Sequence, residues 1–278
     1  MSGIFGILTK AGTALNAHRY SMEVTSNNIN NLNTPGFTRK QAVLQNSAFG
    51  VTGGVTVDHV IQAKDEFTDK QIINQNMAKG QHESQSQVLS RIEAYFDQEN
   101  PNNLADSLQQ FFDTLRQLST NPSDSIFRKQ VLNSATDMSK KFNDISNDIQ
   151  SVRESLNLEI KSQINQANSY IKQIAELNQN VKNAVEEEQG NLIDQRDLAL
   201  KKLSEIVGVS FFYDGQSNLN VMTANGEPLV QGITPSYLVA DPFLDPFNPV
   251  PDFQQDVISP GNYGVSVKDT DGNLTSLT

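Results

Sequence analysis

Residues 131–181 read VLNSATDMSKKFNDISNDIQSVRESLNLEIKSQINQANSYIKQIAELNQNV, and the period of this run sets the fold class. Val131, Ala135, Met138, Phe142, Ile145, Ile149, Val152 and Leu156 alternate steps of four and three, the heptad spacing that keeps one face of a helix apolar. Ile160 and Ile164 then arrive at two successive steps of four, a stutter that locally unwinds a supercoil. The seam resumes through Ala167, Ile171, Ile174 and Val181. Opened by Asn121-Pro122-Ser123 and stopped at Gln189-Gly190, the run predicts one helix of about 65 residues, on the order of 95 Å long. Such a helix suits a rod, a tether, a spectrin-like repeat or a chaperone arm, and periodicity does not choose among them. It does require other helices over its seam, and the chain supplies them, so an intramolecular bundle is expected in preference to an extended homodimeric coiled coil.

Working outward, helical spacing also runs from Ala63 through Phe67, Ile72, Ile73, Met77, Val88, Leu89, Ile92, Tyr95 and Phe96, with Gly80 as a candidate bend. Beyond Asn100-Pro101 a short helix, capped by Asn102 or Asn103, offers Leu104, Leu108, Phe111, Phe112, Leu115 and Leu118 as its buried face. Residues 38–61 alternate in strand fashion around Gly50, Gly53 and Gly54, which predicts a hairpin arm. From Val209 the pattern becomes β: residues 209–213, 219–223, 237–240 and 264–268 are short strand-like runs, with turn signals at Asp214-Gly215, Asn225-Gly226 and Asp271-Gly272. A Pro-rich loop holding Asp241-Pro242-Phe243 and Asp245-Pro246-Phe247 reads as a surface excursion or a docking loop. The expected fold is therefore mainly α with an added β domain: an elongated helical bundle rod followed by a small, incomplete β-rich domain. Its organisation is a terminal, assembly-dependent seam helix over 1–36, a helical rod domain over 37–208 carrying the hairpin arm, and a truncated β-rich domain over 209–278.

At the N-terminal end, residues 26–39 read SNNINNLNTPGFTR. Pro35 presets φ for the second position of a turn and Gly36 supplies the positive φ of a type II third position, so the preceding helix should stop near Leu32. That helix carries Ile4, Leu8, Ala11, Leu15, His18, Met22, Thr25, Ile29 and Leu32 at coiled-coil spacing. Gly3, Gly6 and Gly12 each weaken it by roughly 1 kcal/mol relative to Ala, and Asn is a poor helix former as well. Two readings stay open. The helix either folds against an assembly partner, with Ile4, Leu8, Leu15, Met22, Ile29 and Leu32 as the assembly seam, or packs on its own domain as an ordinary amphipathic helix. The start lacks the basic n-region and unbroken apolar core of a secretory signal, so no cleaved signal is expected.

Residues 191–209 read NLIDQRDLALKKLSEIVGV. Asn191 is placed to cap a helix, Asp194 sits where the dipole favours an acid, Leu198, Leu203 and Val207 make an apolar face, and Gly208 marks a stop. Arg196, between Asp194 and Asp197, reads either as part of a fixed polar network to a neighbouring loop or as one charge on a solvated face. Glu186-Glu187-Glu188 reads as a solvated helix terminus.

Composition narrows the function classes. A formal net charge of −11 over 278 residues argues against nucleic acid or an anionic membrane as partner. The length allows two domains and a sizeable core. There is no Cys, hence neither disulfide nor thiolate site, and no run approaches the roughly 18 apolar residues of a transmembrane helix. His18, His59 and His82 are widely separated and form no ligand pair. Asp269-Thr270-Asp271-Gly272-Asn273 reads as a hairpin turn rather than a calcium loop, since no bidentate Glu follows. No catalytic residue, metal or cofactor is expected, and an enzyme is the weakest reading.

The segment carrying Ser26, Asn27, Asn28, Asn33, Thr34, Pro35, Gly36, Phe37 and Arg39, behind a seam helix, resembles the N-terminal signature of bacterial flagellar axial proteins: rod, hook and hook-filament junction subunits. The second string, with Asn191, Leu192, Asp194, Gln195, Arg196 and Asp197, resembles the segment closing the helical domain of the hook-associated protein 1 family of junction subunits. This resemblance implies a structural subunit that joins hook to filament through helical coiled-coil contacts. It also implies an extracellular place in the flagellum, reached by the flagellar secretion pathway without a cleaved signal peptide. The partners implied are other copies of itself, hook subunits, the next junction or filament protein, and a flagellar export chaperone reached through a C-terminal segment absent from this chain. Axial subunits pair their N-terminal helix with a C-terminal one, and no candidate for it occurs here, so a fragment of a longer protein is expected. The competing reading is a secreted coiled-coil adaptor or adhesin with a ligand-binding β domain.

Overall fold

The computed structural model describes residues 2–47, 54–96, 103–242 and 263–277. In chain order the elements are α1 (Ser2–Asn30), β1 (Lys40–Ser47), β2 (Gly54–Gln62), α2 (Glu66–Glu93), α3 (Leu104–Thr120), α4 (Ser125–Asn183), α5 (Glu186–Ile206), β3 (Val209–Tyr213), β4 (Leu219–Thr223), β5 (Pro228–Gln231), β6 (Thr234–Pro235), β7 (Tyr237–Pro242), β8 (Tyr263–Lys268) and β9 (Leu274–Ser276). The fold is mainly helical with small antiparallel sheets. It divides into two compact units, one of Met1–Ala78, Asn165–Val239 and Ser266–Thr278, the other of Lys79–Ile164 and Ala240–Val265.

Among the described residues the second unit is built from helices, apart from the end of β7 and the start of β8. Asn103 opens α3 with extended backbone and accepts the Asp106 N–H on its side chain at 2.7 Å. The Thr114 and Ser134 hydroxyls, 2.8 Å apart, tie α3 to α4, and Arg91 reaches Glu159 at 3.2 Å from α2. Along α4 the seam residues Ile145, Val152 and Ile164 are buried, while Phe142 and Ile149 are exposed. The expected buried face of α3 is only half covered, and Phe112 is exposed, its ring edge-on to that of Phe111.

In the first unit the turns of α4 from Asn165 form the deepest part of the core. Ala167, Ile171 and Ile174 are fully buried together with Leu203 of α5 and Leu219, Val221, Leu229 and Val230 of the sheet. That sheet runs in the order β3-β4-β5-β6, all antiparallel, with Val209↔Thr223 and Phe211↔Val221 in register. β8 pairs with β9 through Val267↔Thr275. Gly226 and Gly272, both at positive φ, make the turns expected at Asn225-Gly226 and Asp271-Gly272. At Asp214-Gly215 the positive φ belongs to Ser217, since the Asp214 carboxylate captures the Gln216 and Asn218 N–H groups and moves the corner on.

Three differences from the sequence reading concern helix ends and bends. α4 stops at Asn183, at 59 residues, with Ala184 making the last helical bond to Asn180. Val185 is extended, and α5 restarts at Glu186, so Gly190 lies inside a helix and Asn191 is not a cap. The exposed Glu188 falls in the first turn of α5, where free N–H groups favour an acid; the side chains of Glu186 and Glu187 are outside the described set. α2 passes through Gly80 without a break. Gly50, Gly53, Asn100-Pro101, Asn102, Phe243 and Asp245-Pro246-Phe247 lie outside the described residues.

Candidate assembly face and the polar joint beneath it

α1 has two faces of different character. A narrow stripe of Thr13, Ala14, Ala17, Ser21 and Val24 lies along β1 and β2, with Ala17 buried and its neighbours half-buried. Small side chains allow this close approach. On the other side Ile4, Leu8, Leu15, Met22, Ile29 and Leu32 are between 64% and 80% exposed, joined by Phe5 and Ile7. The helix thus packs on its own hairpin, but not with its seam.

The helix ends at Asn30 and the chain turns at once. The Phe37 N–H donates to the Thr34 carbonyl at 3.2 Å and Gly36 has φ +82°, the type II geometry written into Pro35-Gly36. A side chain at Gly36 would also collide with α5, since a Cβ there lies 3.0 Å from the Leu198 Cβ. Asn28 then ties the helix to the hairpin, accepting the Lys40 N–H at 2.9 Å and donating to the Lys40 carbonyl at 2.7 Å.

The hairpin is fastened to α5 by polar groups from its first and last residues, which pair as Lys40↔Gln62. Gln62 Nε2 donates to the Gly190 carbonyl at 2.9 Å and to Asp194 Oδ1 at 3.0 Å. Lys40 Nζ donates to Asn191 Oδ1, lies 3.5 Å from Asp194 Oδ2, and sits 5.1 Å from the Phe37 ring centre. Burial pushes the Asp194 carboxyl above the usual carboxylate range, with hydrogen bonds from Thr38 and the Lys40 charge working the other way.

One turn further on, Lys64 Nζ meets Asp197 Oδ2 at 2.5 Å and the Tyr213 hydroxyl at 2.7 Å. Burial works against the Lys64 charge, yet the Asp197 carboxylate and the two hydrogen bonds raise its pKa above the ordinary lysine value. Burial, with the Asp197 carboxylate, raises Tyr213 as well. Asp69 of α2 closes the layer, 3.1 Å from Lys201 Nζ.

Arg196 takes neither flanking acid, for Asp194 and Asp197 go to Lys40 and Lys64. Residues one or two apart on a helix point in different directions. Its guanidinium, on a residue only 2% exposed, donates to Asn178 Oδ1 at 3.0 Å and the Ser217 carbonyl at 3.1 Å, and lies 5.5 Å from the Tyr213 ring centre. Asn178 in turn accepts the Leu219 N–H at 3.0 Å and donates to the Leu219 and Gly232 carbonyls.

The structure therefore brings Asn28, Gly36 and Phe37 of the first motif next to Asn191, Asp194 and Leu198 of the second. Ser26, Asn27, Asn33, Thr34, Pro35 and Arg39 are exposed, as is Gln195, and Leu192 is half-buried. Sequence reasoning missed Lys40, Gln62, Lys64, Asn178 and Tyr213. Only Asn178 carried a signal, a polar residue at the seam position between Ile174 and Val181.

The description of the flagellar hook-associated protein FlgK helical domain matches residues 89–276, more than half of the chain. The chain belongs to that family. The flagella basal body rod protein family matches residues 8–38, the part of this FlgK-family chain that holds most of α1 and the Pro35-Gly36 turn. Flagellar hook-associated protein 1 of Salmonella typhimurium is 32% identical over 250 residues, covering 85% of this chain and 44% of that protein. Its namesake in Bacillus subtilis is 28% identical over 243 residues, covering 81% and 48%. The FlgK-family chain thus spans about half the length of the curated relatives it matches. The structure of the flagellar hook junction protein FlgK from Burkholderia pseudomallei has a TM-score of 0.60 at 24% identity, over 74% of this chain and 36% of that one, a likeness of fold.

Proposed function

We propose that this FlgK-family chain is a structural part of the bacterial flagellum that joins hook to filament, with α1 as the element that engages neighbours through coiled-coil contacts. The exposed seam of α1 carries this reading. Six large apolar side chains at heptad spacing are left uncovered by the described residues, and covering them stabilises a complex by on the order of 10 kcal/mol before association costs. A helix with matching spacing is the partner such a face accepts. The neighbours are other copies of this protein, hook subunits and the next junction or filament protein, with a flagellar export chaperone as a further partner before assembly. The role is structural rather than catalytic, exercised outside the cell after export through the flagellar pathway without signal cleavage.

Substituting Leu8, Leu15, Met22 and Ile29 together by Gln tests the reading, because these residues are between 64% and 70% exposed in the described chain. Incorporation at the hook tip and motility should be lost while the monomer's melting temperature stays unchanged. Normal incorporation of the fourfold variant would sink the proposal.

A further inference from the structure

The two signature strings lie far apart in the chain and meet where Thr38 hydrogen-bonds Asp194, Gly36 packs on Leu198, and the Lys40 side chain reaches across. Lys40 is the first residue of β1. Its N–H and carbonyl are both taken by the Asn28 carboxamide, at 2.9 and 2.7 Å, so the end of α1 occupies the place of a neighbouring strand on that edge. Its side chain, only 11% exposed, carries Nζ to Asn191 Oδ1 and to within 3.5 Å of Asp194 Oδ2. Gly190 makes the space for it. A Cβ on Gly190 would stand 2.9 Å from Lys40 Cε and 3.2 Å from Nζ, which accounts for a glycine inside α5 despite its cost of roughly 1 kcal/mol.

The C-terminal part of α1 is held by few deeply buried side chains, so the polar contacts at its end carry much of the fastening, Thr38 on Asp194 among them. Ala17 is its one buried apolar residue among those described, and beyond it Val24 is only half-buried. We propose that Lys40 is a coupling residue of the molecule: with its amine seated over Gly190, between Asn191 and Asp194, it helps hold residues 24–37 to the start of α5 and so sets the direction in which the seam faces. The inference rests on the reading of α1 as the assembly face for its purpose. Its geometry stands independently. By linkage, a neighbour that binds the seam in this orientation strengthens the Lys40 socket, and loss of the socket weakens that binding by the same factor.

Hydrogen exchange read by mass spectrometry on the full chain tests the coupling, with the variants Lys40→Met, Gly190→Ala and their combination. Losing the charged hydrogen bond in Lys40→Met should speed exchange of amides 24–38 by about tenfold or more. Amides of β3 and β4 should be unchanged. Gly190→Ala should speed exchange of the same amides while α5 itself stays protected, since Ala favours helix and its Cβ meets only the flexible end of Lys40. The double variant should match Lys40→Met alone. Exchange of 24–38 unchanged in Gly190→Ala, or effects that simply add, would overturn the coupling. If Lys40→Met fails to fold, Gly190→Ala decides alone. Failure of the wild-type chain to assemble would remove the proposed function and leave this exchange result standing.

Discussion

The seam of α1 and the last turns of α4 repeat the same four-three spacing, yet Ile171 and Ile174 are fully buried whereas Leu15 and Leu32 are 70% and 80% exposed. Spacing therefore states that a face wants cover and leaves open who provides it. For α4 the cover comes from within, from Leu203 of α5 and the sheet residues Leu219 and Val221. Asn178, at a seam position, takes both the N–H and the carbonyl of Leu219, and Asn168 does the same to Leu238 at 2.8 and 2.9 Å. Asn28 repeats the clasp on Lys40. A helical Asn holding both peptide groups of one strand residue thus occurs on α1 and α4 alike: Asn178 sits in the seam of α4, while Asn168 and Asn28 flank the seams of their helices.

The largest test of the contrast is truncation inside the covered seam. Ile174→Ala removes a fully buried side chain and should cost about 2–5 kcal/mol of unfolding free energy in a denaturant titration. A loss under about 1 kcal/mol would mean that the core around the end of α4 collapses onto the gap, contrary to the packing described.

Arg196→Ala comes next. It strips the charged donor from Asn178 Oδ1 and the Ser217 carbonyl, and should cost about 1.5–3 kcal/mol. Both bonds come from one nitrogen, Nη1, and the guanidinium also lies over the Tyr213 ring at 5.5 Å; Lys in its place should recover only part of the loss, since an ammonium keeps a donor but not the stacked planar group. Full stability in the Lys variant would show that charge alone suffices at this joint.

Much of this contrast was legible in the sequence, and the parts that were not share a cause. The Pro35-Gly36 turn was readable because its φ of +82° suits almost no residue but glycine. The body of α4 was readable because its period persists over many turns. Its end was misplaced at Gly190, which is glycine to admit Lys40 and not to stop a helix. The short strands β5, β6 and β9 went unseen, for two to four residues such as Pro228–Gln231 carry too little alternation to register. The joint between the motifs was invisible for a stronger reason: Lys40 meets Asn191 across 151 residues of sequence, and no local pattern encodes that meeting.

A smaller effect is expected from pH, and it separates the joint from both seams. Lys64 and Tyr213 both have folded pKa values raised above their ordinary 10.5 and 10.0. The native state therefore holds these protons more tightly than the unfolded chain. Their contribution is fully present below about pH 10 and is lost as pH rises through the raised folded values. The denaturation midpoint should fall above pH 10. Because Lys64 also holds the Tyr213 hydroxyl down, the test removes both groups: Lys64→Met with Tyr213→Phe should flatten that fall while leaving the Ile174→Ala deficit the same at every pH. An alkaline slope unaltered in that double variant would assign the loss to other groups.

The smallest effect belongs to the outward seam. Leu15→Ala on α1 deletes a side chain that is 70% exposed, at a site where Ala also favours helix, so monomer stability should change by less than about 0.5 kcal/mol. The same substitution at a covered heptad position is the expensive one, so the pair Leu15→Ala and Ile174→Ala measures how far identical spacing diverges in energy. A loss above about 1 kcal/mol for Leu15→Ala in a monodisperse monomer would show that some part of the chain already covers this face. The seam would then be an ordinary core surface, and the basis for reading α1 as the element left open for a neighbour would be gone.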